Sequence, residues 1–151
     1  MTLKALLAEE RVRPHKTSAG EVGALLRVVD RDLADAALEG LSADRRFATA
    51  YSATLGLATI ALHAAGYRAI GTGHHWATLH ALPEVMGSQE QTRADYLDQC
   101  RSKRNVTEYD RAGEVSDSEA AELLAEARAF RADLLAWLKK NHPRLLSRGI
   151  K

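Results

Sequence analysis

At 151 residues and a formal charge of +1, the chain is sized for one domain with one core, and its charge balance excludes a strongly basic nucleic-acid coat. Ala, Leu, Arg and Glu dominate, Val, Ile and Thr are sparse, and the only prolines are Pro14, Pro83 and Pro143, a composition that supplies helices and starves a β fold. The single Cys100 excludes an intrachain disulfide framework and suits a reducing compartment, so a cytoplasmic location is expected.

In chain order, residues 2–11 predict a short first helix with Leu3, Leu6 and Leu7 on its apolar side, ended by Pro14. Its opening, Met-Thr-Leu-Lys-Ala-Leu-Leu-Ala-Glu-Glu-Arg, holds an acidic pair and no apolar run suited to a signal peptide. Ser18 and Glu21 have capping-box spacing, and Leu25, Val28, Val29, Leu33, Ala36 and Ala37 continue at helical period to about residue 39. Ser42 offers the next N-cap, before a stripe of Phe47, Tyr51, Leu55, Ala58 and Leu62 that ends at Gly66. Abundant alanines and Gly56 leave little bulk on any side of that helix, which makes it the expected centre of the core.

Residues 66–73 read as a loop. Residues 74–82 read as a short helix terminated by Pro83. Polar residues 87–91 lead into a helix over 92–111 that stops near Gly113. Ser116 and Glu119 repeat the capping-box spacing ahead of Leu123, Leu124, Ala127, Phe130, Leu134, Trp137 and Leu138, and Asn141 and Pro143 close this last long helix. Residues 139–151 form a basic tail carrying Lys139, Lys140, Arg144, Arg148 and Lys151.

Short loops between long helices make neighbours antiparallel, so the expected fold is all-α, an antiparallel up-and-down bundle of four to five main helices in a single domain over residues 1–151. No segment is expected to reach the roughly 20 apolar residues needed to cross a membrane.

The chemistry-bearing stretch is 98–110, Asp-Gln-Cys-Arg-Ser-Lys-Arg-Asn-Val-Thr-Glu-Tyr-Asp. On a helix, Arg101, Asn105 and Tyr109 stand four apart in one row, beside the pair Arg104 and Glu108. Guanidinium, amide and phenol on one face suit a phosphate and a stacked base. Taken by itself, the spacing is better matched by an intrahelical salt bridge, an ordinary asparagine and a core-edge tyrosine.

Histidines offer no helical metal spacing. His74, His75 and His80 are not three or four apart, so helix capping or a polar edge is the expected role. His63 reads as an edge histidine, and His15 and His142 flank helix ends. No Gly-rich phosphate loop, zinc-type cysteine spacing or serine nucleophile motif is present, and neither a metal nor a cofactor is expected. Cys100 reads as a packed small residue.

The run from Arg101 to Asp110, followed by Ser-Asp-Ser-Glu-Ala-Ala-Glu-Leu-Leu and a long final helix, resembles the HEPN domain family. The likeness extends back through Gly-Tyr-Arg at 66–68 and Gly-His-His at 73–75, and covers about 18–138. HEPN domains are helical bundles that usually dimerise. Many are metal-independent ribonucleases of toxin–antitoxin and phage-defence systems, with a signature of Arg, a polar residue, and His after four to six intervening positions.

The resemblance implies that Arg104 is the signature Arg, Asn105 the polar residue, and Tyr109 the occupant of the His position. It also implies a homodimer with Arg104 and Asn105 near its interface. A phenol of ordinary pKa, about 10, stays protonated at neutral pH, whereas imidazole titrates near about 6.5, so this departure from the signature removes the usual general base.

Four readings follow. The first is a non-catalytic or weakly active module that binds a nucleotide, RNA or a partner such as a minimal nucleotidyltransferase through Arg101, Arg104, Asn105, Glu108, Tyr109 and His75. The second is a ribonuclease in which Tyr109 or His75 assists Arg104. The third makes Tyr109 the acceptor of a nucleotidyl group. The fourth is a purely structural helical dimer.

Overall fold

The computed structural model describes residues 2–109 and 113–146, with the side chains of residues 107–109 outside the described set. Seven α-helices appear among them: α1 (Leu3–Ala8), α2 (Ala19–Ala36), α3 (Ala43–Ala64), α4 (His74–His80), α5 (Leu82–Met86), α6 (Gln91–Tyr109) and α7 (Asp117–Asn141). The expected all-α helical bundle is the fold observed. The continuation of α6 to Arg111 and the tail residues Arg148 and Lys151 lie outside the described residues.

The long helices begin where side chains can take up orphaned backbone N–H groups. Ser18 accepts from the Glu21 N–H, Ser42 from the Arg45 N–H, and Ser116 with Glu119 closes a full capping box. The central helix α3 packs against α2, α6 and α7. Its small residues allow this closeness: a Cβ on Gly56 would stand 2.8 Å from Val29 Cγ2 of α2. Tyr51, Leu57, Ile60, Leu123, Phe130 and Leu134 are all buried in the shared core, and Cys100 joins them as a packed residue.

By length and composition α3 does reach what a membrane crossing requires, contrary to expectation. Alternating Ala with larger apolar residues raises its hydropathy without a conspicuous run, and more than half of the apolar window is buried inside the protein.

Two other differences bear on the candidate site. Inside the expected 66–73 loop lies a strand, β2 (Tyr67–Ala69), which pairs antiparallel with β1 (Val12–Pro14) in the register Val12 to Ala69 and Pro14 to Tyr67. Three residues are too few to print a period-two pattern in the sequence. Pro83, moreover, follows the end of α4 at His80 as expected, but it also opens another helix. It sits in the first turn of α5, where a proline has no intrahelical N–H to lose.

The ribbon is extended by the His15 N–H to Gly66 O bond (2.8 Å) and the Ile70 N–H to Arg11 O bond (3.0 Å). A second apolar cluster of Leu6, Val12, Leu62, Ala77 and Ala81 packs beneath it, and the Arg11 guanidinium lies 4.7 Å from the centre of the Trp76 ring. The N-terminal segment thereby clamps α4 in place against the bundle.

Candidate functional site

Gly73 starts α4 with φ of +80°, a left-handed conformation that costs glycine nothing and turns the chain sharply into the helix. The turn brings His74 and His75 over the middle of α6. Between α4 and α6 opens a cavity of about 470 Å³, lined among others by Gly73, His74, His75, Arg101, Arg104 and Asn105. Arg101 and Asn105 thus share the face that their four-residue spacing predicts, and Arg104 joins them at the cavity wall.

Arg101 Nε donates to Asp98 Oδ1 at 2.8 Å, one turn earlier on the same helix. Arg104 Nη1 donates to Asn105 Oδ1 at 3.3 Å. The Arg104 guanidinium carbon stands 5.7 Å from the centroid of the Tyr51 ring. The Tyr51 hydroxyl in turn lies 3.3 Å from His75 Nδ1. A chain of contacts therefore runs from α6 through the core tyrosine of α3 to the first turn of α4.

Burial is the largest cause pushing the Tyr51 phenol up to about 12, against the opposing pull of Arg101 and Arg104. The phenol consequently stays protonated, and its oxygen can accept from a protonated His75 Nδ1, the tautomer that leaves Nε2 as the basic nitrogen. His75 is held below the ordinary imidazole value, first by burial and then by the positive charge of His74, Arg104 and Arg101. At neutral pH it is an uncharged ring whose lone pair can accept a proton.

Two guanidinium groups, an amide and a neutral imidazole around one opening suit an anion. The arginines supply charge and paired donors, the amide supplies a donor or an acceptor, and the imidazole supplies a base. One of the two arginines is partly neutralised by Asp98, which also lies 3.6 Å from His80 Nε2.

His75, named from the sequence as a binding residue and as an assistant to Arg104, lines the same cavity as the arginines. The side chains of Glu108 and Tyr109 lie outside the described residues. Tyr51, His74 and Gly73 were not read as site residues. Tyr51 carried one weak signal: a tyrosine within an apolar helical stripe needs a partner for its hydroxyl. Nothing in the sequence marks which partner. No family model, curated protein or solved structure matches the chain.

Proposed function

We propose that this protein is a HEPN-like module that binds the phosphate of RNA or of a nucleotide in the cavity between α4 and α6, without catalysis or with weak catalysis. The observation that carries the reading is the convergence of Arg101, Arg104 and Asn105 with His74 and His75 on one opening. Phosphate oxygens would engage the two guanidinium groups, and a base or sugar would lie against the histidine rings, which meet edge-on at 4.5 Å. A homodimer that brings two such openings together belongs to this reading, as does a nucleotidyltransferase partner.

The test is a titration of the purified protein with labelled single-stranded RNA and with ATP, beside Arg104→Ala, following binding and cleavage together. Arg104→Ala is expected to weaken binding by about tenfold or more, the equivalent of at least ~1.4 kcal/mol. Equal binding by the two proteins would overturn the phosphate site. Analytical ultracentrifugation of the same samples reads the dimer.

One observation supports a second reading, a metal-independent endoribonuclease. His75, neutral and on the cavity wall, stands where it could take the proton from a 2′-hydroxyl while the arginines stabilise the charge on phosphorus-bound oxygen. The missing signature histidine would then be supplied by α4 and not by α6. Cleavage lost in both His75→Gln and Arg104→Ala would favour this reading, and RNA left intact by the wild-type dimer would dismiss it.

A further inference from the structure

A second polar cluster lies at the end of the ribbon away from that cavity. His15 follows β1, Glu21 is in the first turn of α2, and His63 is in the last turn of α3. His15 Nε2 stands 2.7 Å and His63 Nδ1 2.8 Å from the same oxygen, Glu21 Oε1. The Thr17 hydroxyl donates to that oxygen at 2.8 Å. The two imidazole rings are 4.4 Å apart, and the three donor atoms all lie within 4.8 Å of one another.

Hydrogen bonding accounts for only part of this convergence. His15 is aligned with the carboxylate as a hydrogen-bond partner. His63 Nδ1 is buried and, despite its short separation, makes no hydrogen bond of acceptable geometry. In the tautomer that leaves Nδ1 unprotonated, its lone pair stands 2.8 Å from an oxygen that His15 and Thr17 already engage. A cation bridging the two nitrogens and the oxygen would use that lone pair, and imidazole nitrogen with carboxylate oxygen is a ligand set that divalent first-row transition metals accept.

We propose that His15 Nε2, His63 Nδ1 and a carboxylate oxygen of Glu21 form a site for one divalent transition-metal ion, zinc being the first candidate. At metal–ligand distances of about 2.0–2.1 Å, tetrahedral binding needs ligand atoms roughly 3.3 Å apart, so each nitrogen, now 2.7 and 2.8 Å from the Glu21 oxygen, must draw back from it by about half an ångström. The Glu21 side chain is 37% exposed and the His15 side chain 20%, which leaves room for that adjustment.

Thr17, which donates to Glu21 Oε1, would orient the carboxylate, as outer partners of metal ligands do. Three protein ligands leave a coordination position open, the pattern of reactive and not purely structural centres. Beside it lies a cavity of about 640 Å³ whose wall includes Lys16 and Arg144. Water or a small anion drawn by those cations would complete the shell.

The full chain, without a histidine tag and stripped by chelator, would be titrated with Zn²⁺ by calorimetry and with Co²⁺ by visible absorption. The expected result is one equivalent bound per chain, with a Co²⁺ spectrum distinct from that of the hydrated ion. His15→Asn and Glu21→Gln should each weaken binding at least by the ~10–100-fold that loss of a mere outer partner costs, while His74→Gln at the other cavity should leave it unchanged.

Should those variants fail to fold, nitrogen NMR of the wild-type imidazoles gives the same answer without substitution. Zn²⁺ should then shift His15 and His63 alone among the six histidines. A Co²⁺ spectrum of the free ion, affinity unaltered in the two variants, or Zn²⁺ shifts at other histidines would each overturn the site in favour of a hydrogen-bonded His–Glu–His cluster.

Discussion

Replacement of Arg93 by methionine offers a sharp check on how α6, the helix that carries the arginines of the candidate site, is docked. Arg93 Nη1 bonds both oxygens of Glu90, at 3.0 and 2.9 Å, while Nε and Nη2 reach Glu126 and Asp133 of α7 at 2.7 and 2.9 Å. Its guanidinium also lies 4.8 Å from the Phe130 ring centroid. Exposure decides which of these contacts matters. The side chains of Arg93 and Glu90 are 12% and 9% exposed, against 32% for Glu126 and 58% for Asp133.

The two α7 carboxylates would simply return to water, so their loss costs little. Glu90 would remain buried without its cation. Removing one member of a buried pair costs about 3–5 kcal/mol, and the partial access of Glu90 to solvent places the expected loss near the lower end, about 3 kcal/mol. In a chain of this length that lowers Tm by roughly 6–12 °C. Loss of the aromatic contact adds about 0.5–1 kcal/mol that does not vary with pH.

The pH dependence separates the two contributions. Burial already holds the Glu90 carboxyl above its usual range, with Arg93 pulling it back. A carboxyl whose folded pKa lies above its unfolded value stabilises the fold when protonated, and that stabilisation is lost as pH rises through the folded value. In Arg93→Met the pull from arginine is gone and the folded value climbs further. The variant should therefore be most destabilised at neutral pH and recover part of the loss in mild acid.

Urea denaturation followed by circular dichroism at both pH values measures this. Glu90→Gln combined with Arg93→Met should restore stability to within about 1 kcal/mol of the wild type, since a buried pair removed whole is often nearly neutral. A double variant no more stable than Arg93→Met, or an equal deficit at both pH values, would refute the assignment of the penalty to Glu90.

Gly56→Ala should lose about 1–2 kcal/mol in denaturant titrations, because overpacking against the buried Val29 at about 1–3 kcal/mol outweighs up to about 1 kcal/mol of gained helix propensity; a more stable variant would contradict the close approach of α2 and α3. Ser116→Ala removes the N-cap of α7 and half of its capping box, and should cost about 1 kcal/mol, read in the same assay. His75, whose folded pKa is depressed by burial and nearby cations, contributes stability that is present above its unfolded value of about 6.5 and lost as pH falls through the folded one. His75→Gln should accordingly flatten the acid limb of a Tm–pH profile, and an unaltered limb would show that the ring is not desolvated as described.

The four long helices were legible in the sequence because their determinants are local. Serine caps, apolar residues three and four apart, and glycine or proline punctuation act within a few residues of one another, and the observed α2, α3 and α7 begin at the serines that announce them. The shared face of Arg101 and Asn105 was legible for the same reason, since both lie on one helix with a fixed pitch. Pro83 was read only as a stop, whereas here it both follows the end of α4 and stands in the first turn of α5.

Contacts between segments far apart in the chain were decided by tertiary structure alone. His75 meets Tyr51 across 24 residues because the β1–β2 ribbon and the Arg11–Trp76 contact hold α4 against the bundle, and three-residue strands leave no pattern to read. His15, Glu21 and His63 converge because strand register and the packing of α2 on α3 set where three separate segments end. Helical pitch is a property of adjacent residues, whereas the approach of two helix ends depends on every side chain packed between them.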